Sequence, residues 1–167
     1  MTLRPDLVEC WAYRVTGAGA VEVLLLRRAP HRIFPGLWQC VTGGLEPGEA
    51  PPAAARRELE EETGLAGDDV EALYDLDQVA PFYDEGAEAV VVSAIFAARI
   101  RPGAVARASD EHDGLRWVPA GEAPAIAIWP SYAESIRRVS EVLVDPAREP
   151  WFRLDADGRR IARRPTA

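Results

Sequence analysis

The sequence predicts an α/β domain, a β-sheet carrying helices, on three observations. Runs of apolar and β-branched residues recur as strand patterns, most strongly at 7–15 (LVECWAYRV), 21–28 (VEVLLLRR) and 87–100 (AEAVVVSAIFAARI). Two stretches read as helices instead: 53–63, directly after a loop rich in glycine and proline, and 131–144 near the C-terminal end. The length of 167 residues suits one domain, 1–167, with an ordinary core, and no repeat or flexible linker divides it.

Composition narrows the function classes. A net charge of -8 and a pI near 4.8 argue against bulk electrostatic binding to nucleic acid or to anionic membrane. A polyphosphate ligand would therefore need divalent ions or a few local arginines. Cys10 and Cys40 are the only cysteines, too few for a disulfide framework or a cysteine-rich zinc site, and both are expected as small buried apolar residues. No basic and apolar leader opens the chain, and no apolar run approaches the ~20 residues of a membrane span. The expected setting is a soluble cytoplasmic protein.

Taken in order, the first strand turns at TGAGA into 21–28, whose long apolar run suits burial on both faces. Arg27 and Arg28 end it side by side and must point to opposite faces, so only one readily serves a given site. HRIFPG at 31–36 is a loop, and 37–41 is a short strand holding Trp38, a core residue or a pocket wall. Beyond the first helix, 70–79 and 87–100 read as strands with PFYDEG as the loop between them. Phe82 and Tyr83 in that loop are candidates for stacking on a base, an exposed hairpin turn being the plainer reading. The loop 101–114 gathers Ser109, Asp110, Glu111, His112 and Asp113 before a short strand at 115–118, and a lone histidine among acids reads first as solvated. Residues 131–144 place Tyr132, Ile136, Val139 and Leu143 on one side of an amphipathic helix that caps the sheet, with Ser131 as its N-cap. The tail at 151–162 is expected to form a hairpin turned at 155–158, with solvated arginines.

Residues 43–65, GGLEPGEAPPAAARRELEEETGL, organise the rest. Gly43, Gly44 and Gly48 let backbone approach a ligand or ion without Cβ clashes. Pro51 and Pro52 suit the first turn of a helix that Gly64 stops. Ala50 offers no side-chain cap, so Glu49 is expected to face the positive helix N-terminus. Ala55 and Leu59 give an apolar stripe, and Arg57 reaches Glu61 on the same flank. Glu58, Glu61 and Glu62 fall three and four apart, share one face and repel one another. A cation between them is the simplest resolution.

Gly43, Glu49, Arg57, Glu58, Leu59, Glu61, Glu62, Gly64 and Leu65 fill every fixed position of the pattern GX5EX7REUXEEXGU, with U aliphatic. In this the stretch resembles the Nudix box, and the chain resembles the Nudix hydrolases. The resemblance implies an α/β/α sandwich with a mixed β-sheet and the box as loop, helix and loop. Position by position, it implies that Glu58, Glu61 and Glu62 bind Mg2+ or Mn2+, directly or through water, with Glu49 and Arg57 in support. Thr42, just before the box, would present its backbone carbonyl to the metal. Glu111, in SDEHDGLRWV, stands where many members place a further acid, as ligand or general base; Asp110 and Asp113 contest that place.

The implied activity is metal-dependent hydrolysis of a nucleoside diphosphate linked to another group, giving a monophosphate and either pyrophosphate or the phosphorylated remainder. The run WQCVTGGLEPGE resembles the subgroup acting on dihydroneopterin triphosphate and nucleoside triphosphates. ADP-ribose, NADH or a diadenosine polyphosphate is the alternative substrate, and a non-catalytic nucleotide-sensing module is the alternative class. A diphosphate isomerase would want a paired Cys and Glu, and the sequence pairs Cys40 with no second acid. Arg27, Arg28, Trp38, Phe82 and Tyr83 are the expected substrate-pocket residues. The partners implied are a small-molecule diphosphate and a second copy in a homodimer, with no membrane and no bulk nucleic acid.

Overall fold

The computed structural model describes residues 4–163. Strands β1 (Leu7–Val15), β2 (Val21–Arg28), β3 (Trp38–Gln39), β4 (Val41–Gly44), β5 (Val70–Asp84), β6 (Ala89–Ile100), β7 (His112–Pro119) and β8 (Arg153–Leu154) form one eight-stranded sheet. The order β3-β2-β1-β6-β5-β8 has β4 added on β1 and β7 on β2. β1 runs parallel to β6, whereas β1–β2, β1–β4, β2–β7 and β5–β6 are antiparallel, so the sheet is mixed.

One helix packs on each face, and the strand period of two decides which side chains meet it. From β1, Val8, Cys10 and Ala12 enter a core with Ala54, Ala55 and Leu59 of α1 (Pro51–Thr63). Trp11 and Tyr13 enter the opposite core with Tyr132, Ile136 and Val139 of α2 (Pro130–Glu141). This is the expected α/β/α arrangement. Leu59 shows how narrow the α1 seam is: fully buried on a helix of mostly polar residues, its truncation to Ala would cost about 2–5 kcal/mol. Both cysteines are free and buried, as expected.

The termini of the elements bring corrections. α1 starts at Pro51, with Ala50 making no side-chain cap, and ends at Gly64, whose φ of 69° lets its N–H bond the Glu60 carbonyl. α2 starts at Pro130, so Ser131 lies inside the first turn rather than at the N-cap; the ring of Pro130 already fixes a helical φ there. β5 runs to Asp84, five residues beyond the expected end at Val79, so Phe82 and Tyr83 are strand residues rather than loop residues. Pro81 is tolerated because β8 covers β5 only at Leu73 and Tyr74, leaving the later part of β5 an edge. β7 starts at His112, three residues before the expected Leu115. The tail hairpin shrinks to β8 and a single bridge from Leu154 to Arg160. Arg160 is not simply solvated there, since its guanidinium bonds Asp75 at 2.7 Å.

Register places the functional residues. Leu7 of β1 faces both Gly44 and Ser93, and Arg28 faces His112, so the start of β1, the ends of β2 and β4, and the start of β7 gather at one end of the sheet. β4 leads straight into the loop before α1, which brings the acids of that helix to the same end. Among the described residues no helix is long and apolar enough to cross a membrane.

Candidate active site

Gly43 sits in β4 opposite Val8. A Cβ at this position would fall 1.8 Å from Glu58 Cδ and 2.0 and 2.3 Å from its two oxygens. The Glu58 carboxylate thus rests on the strand backbone in space that only glycine leaves open.

Arg57 ties the acids together. Its Nε and Nη2 bond the two oxygens of Glu49 at 2.9 Å each, Nη2 also reaches the Gly44 carbonyl at 2.8 Å, and Nη1 bonds Glu58 at 2.6 Å and Glu61 at 3.2 Å. The paired Arg57 donors, then the Glu46 N–H, hold the Glu49 carboxyl down at about 2. Glu49 therefore clamps the loop to Arg57 instead of facing the helix N-terminus, because a two-toothed guanidinium partner outcompetes the helix dipole. Bonds to Glu49 in turn raise the Arg57 pKa. Glu58 shifts up, burial outweighing the help from Arg57, with the charges of Glu61 and Glu111 adding to it. The Glu61 side chain is more than half exposed.

Glu62 is the most constrained of the three acids. It is 4% exposed, and its Oε2 has no hydrogen-bond partner. Burial, then the Glu58 charge, push its carboxyl up to about 8; the nearby Thr42 backbone N–H works the other way. What Thr42 turns toward Glu62 is this N–H, while its hydroxyl donates to the Cys40 carbonyl at 3.3 Å.

His112 corrects the expectation of a solvated loop histidine. It is buried, with Nε2 3.8 Å from Glu62 Oε2 and 3.4 Å from Gln39 Nε2. Arg28 Nη1 donates to Gln39 Oε1 at 3.4 Å, and Arg28 Nε donates to the Ile33 carbonyl. Burial, followed by the Arg28 charge, lowers the His112 pKa, so the ring is a neutral neighbour to Glu62. Sequence reasoning also missed Gln39; its one signal was an amide between Trp38 and Cys40 in the expected strand 37–41.

Glu111 faces the same acids, since its charge raises both Glu58 and Glu62, and Arg32 Nη2 binds its Oε2 at 2.8 Å. Asp113 turns instead to Arg27, at 2.7 Å, and Asp110 is exposed. Arg27 and Arg28 diverge as expected: Arg28 joins the Glu62 side, while Arg27 lies 5.7 Å from the centroid of the half-buried Trp38, which Arg116 approaches at 4.3 Å. Phe82 and Tyr83 are both exposed but alternate across β5. Ala80 faces the α2 core, so Phe82 shares its face and Tyr83 takes the other. They do not line one pocket together.

Residues 8–139 match the NUDIX domain. This chain belongs to the Nudix family. It is 28% identical to a NUDIX hydrolase from Listeria monocytogenes, with a TM-score of 0.71 over 84% of this chain and 94% of that one. The dihydroneopterin triphosphate pyrophosphohydrolase of E. coli gives 25% identity and a TM-score of 0.67 over 81% and 94% of the two chains. A Myxococcus xanthus protein named octanoyltransferase is 40% identical over 129 residues, 75% of this chain but only 34% of that protein. The chain thus spans about a third of that relative, most of which has no counterpart here.

The Nudix box residues suit a hard divalent cation. Glu58 and Glu62 offer carboxylate oxygens whose ionisation is resisted in the protein alone, and one of them, Glu62 Oε2, is buried without a partner. A cation held there would satisfy that oxygen and offset the mutual repulsion. As the side chains stand, no three His, Cys, Asp or Glu groups among the described residues converge into a closed ligand set, because Glu58 and Glu61 both lean on Arg57.

Proposed function

We propose that this Nudix chain hydrolyses a diphosphate linkage in a nucleoside diphosphate derivative, with a (deoxy)nucleoside triphosphate or dihydroneopterin triphosphate as substrate and a monophosphate and pyrophosphate as products. The observation behind it is the pair Glu58 and Glu62: one carboxylate laid on Gly43, the other buried with an unpartnered oxygen beside it. Glu58, Glu61, Glu62, the Thr42 carbonyl and Glu111 would hold Mg2+, or Mn2+ in its place. When bound, such a cation offsets the charge on the diphosphate oxygens and makes a water more acidic.

The chain's own residues supply orientation and proton transfer. Arg57 fixes Glu58 and Glu61 from behind, both through Nη1, and Glu49 fixes Arg57. Glu111 removes the proton of the attacking water as its oxygen joins phosphorus, and the anhydride P–O bond breaks to release pyrophosphate. Arg28, on the Glu62 side of the sheet and held by the Ile33 carbonyl at Nε, would turn Nη1 to a phosphate oxygen as its weak 3.4 Å contact to Gln39 opens. The choice of a triphosphate draws on the WQCVTGG run and on the likeness to the E. coli pyrophosphohydrolase.

Nucleoside triphosphates, dihydroneopterin triphosphate, ADP-ribose, NADH and diadenosine tetraphosphate should be incubated with the protein and Mg2+, and the products identified. Pyrophosphate from a triphosphate is the expected result. Turnover of the dinucleotides alone would overturn the substrate assignment, and no turnover of any of them with Mg2+ or Mn2+ would overturn the activity.

A further inference from the structure

A row of directly opposed residues crosses the sheet beside the box: Thr42 of β4, Glu9 of β1, Ile95 of β6 and Gln78 of β5. The side chains of this row stand on the α2 face, opposite to the face on which Glu58 meets Gly43. Glu9 is 6% exposed and its Oε2 has no hydrogen-bond partner. Ser93 Oγ and Trp11 Nε1, buried on the same face, are also without partners.

The other polar groups of the row are engaged. Gln78 donates to the Ser131 carbonyl at 3.2 Å and accepts from Ser135 at 3.1 Å, and the Thr42 hydroxyl is taken by Cys40. Glu9 Oε2 is left as a buried acceptor without a hydrogen-bond partner among the described residues, an arrangement that is costly unless something supplies a donor. Burial raises its carboxyl to about 7, the nearby Ser93 hydroxyl easing it only in part.

The next row toward the end of the sheet is Gly44, Leu7, Ser93 and Ala80. It consists mostly of small residues, of which Gly44 is exposed while Ser93 and Ala80 are buried. Beyond it stands Phe82, exposed, on the same face. The row thus runs from the exposed Gly44 at the end of the sheet inward past the buried Ser93 to Glu9, while the phosphate chemistry proposed above lies across the same two strands.

We propose that Glu9 is a specificity-determining residue, which with Ser93 beside it accepts hydrogen bonds from a heterocycle bearing a ring N–H next to an exocyclic amino group, the edge shared by guanine and 2-aminopterin, with Phe82 at the entrance. A carboxylate takes two parallel N–H donors at once, as it does from a guanidinium. Adenine and the pyrimidines present a lone pair within that edge, which a carboxylate repels. The assignment rests on the hydrolase reading for where the phosphates lie.

Two measurements at pH 8 separate the two ideas. GTP and ITP, which differ only in the 2-amino group, are compared as substrates with Mg2+, and GMP and IMP are compared as ligands of the metal-free protein by calorimetry. The wild type should favour the guanine compound by about tenfold or more in both, the substrate difference residing in KM. Glu9→Gln should reduce both preferences to within about twofold, and Ser93→Ala, which serves if Glu9→Gln fails to fold, should weaken them several-fold. Equal binding of GMP and IMP by the wild type, or a preference that survives both substitutions, would overturn the proposal and leave Glu9 a buried structural acid. If no triphosphate is turned over, the activity reading fails while the GMP and IMP pair still decides Glu9.

Discussion

Replacing Gly43 with Ala isolates what the first glycine of the box does. The new Cβ would lie 1.8 Å from Glu58 Cδ, where ordinary contacts are 3.4–4 Å, so the whole carboxylate must retreat by roughly 2 Å. Gly43 is not among the glycines with positive φ, and the backbone itself accepts Ala. The displaced atoms are the far end of a flexible side chain. The fold should therefore survive, with a midpoint of thermal unfolding within about 3 °C of wild type. Turnover should not survive so well. Glu58 would leave its 2.6 Å contact with Arg57, and a misplacement of even 1 Å in a reacting constellation costs about 100-fold, so kcat with saturating Mg2+ should fall by about 100-fold or more. Gly44→Ala is the matched control, since a Cβ there meets nothing within 4 Å and its φ is not positive. Steady-state kinetics and thermal melts of the two variants decide the matter. A Gly43→Ala protein within a few-fold of wild type, or one as impaired as Gly44→Ala, would refute the placement of Glu58 as a working residue.

Other predictions concern charge. In metal-free protein the Glu62 carboxyl keeps its proton to about pH 8, whereas an ordinary glutamate releases it near 4.5; between these values the unfolded chain binds fewer protons than the folded one, and stability falls as pH rises. Glu62 contributes a slope of about 1.4 kcal/mol per pH unit over much of that window, and Glu9 adds a similar slope up to about pH 7. Urea midpoints of Glu62→Gln at pH 5, 6 and 7 should thus show a visibly flatter decline, and an unchanged one would exclude Glu62 as a titrating group. Mg2+ should raise the thermal midpoint of wild type more at pH 8 than at pH 5, with EDTA reversing both the shift and the turnover. Arg57→Lys cannot reproduce the two-toothed contact with Glu49, so kcat should fall by about 10–100-fold even though the charge is kept, as kinetics beside Arg57→Ala would show. His112→Ala should lower stability by about 2–3 kcal/mol in chemical denaturation, because it empties a buried position between Gln39 and Glu62.

What was legible in the sequence is what depends on local spacing. The acids of α1 share a face because of helical periodicity alone, and Arg27 and Arg28 diverge because neighbours in a strand must. Glu9 and Gln39 escaped notice, and His112 was read as solvated, because a polar residue in a strand is buried or exposed according to what covers its face, and that is settled by strands and helices far along the chain. Residue 9 reads as an ordinary break in an apolar run until β6, β4 and α2 close around it. PFYDEG misled for the opposite reason. Its proline and glycine are real turn signals, but by that point β5 is an edge strand paired to β6 alone, where a proline is tolerated. The Ser131 cap failed because Pro130 had already set a helical φ one residue earlier.

The two halves of the candidate site depend on one strand register. Val8 opposes Gly43 and Glu9 opposes Thr42, with Val8, Cys10 and Val41 held in the α1 core. A slip of one residue between β1 and β4 would reverse the faces of one strand relative to the other. If β1 turned over, the Glu9 carboxyl would join Glu58 and Glu62, adding a fourth repelling acid to the box, while Val8 would be pushed toward the polar row beneath α2. If β4 turned over, the Thr42 side chain would enter the space that Gly43 leaves for Glu58. Either slip also removes apolar groups from the α1 core, each costing about 1.5–3 kcal/mol of lost burial. The hydrophobic pattern of a four-residue strand thus fixes, at once, where one acid can rest on backbone and where another is buried on the opposite face.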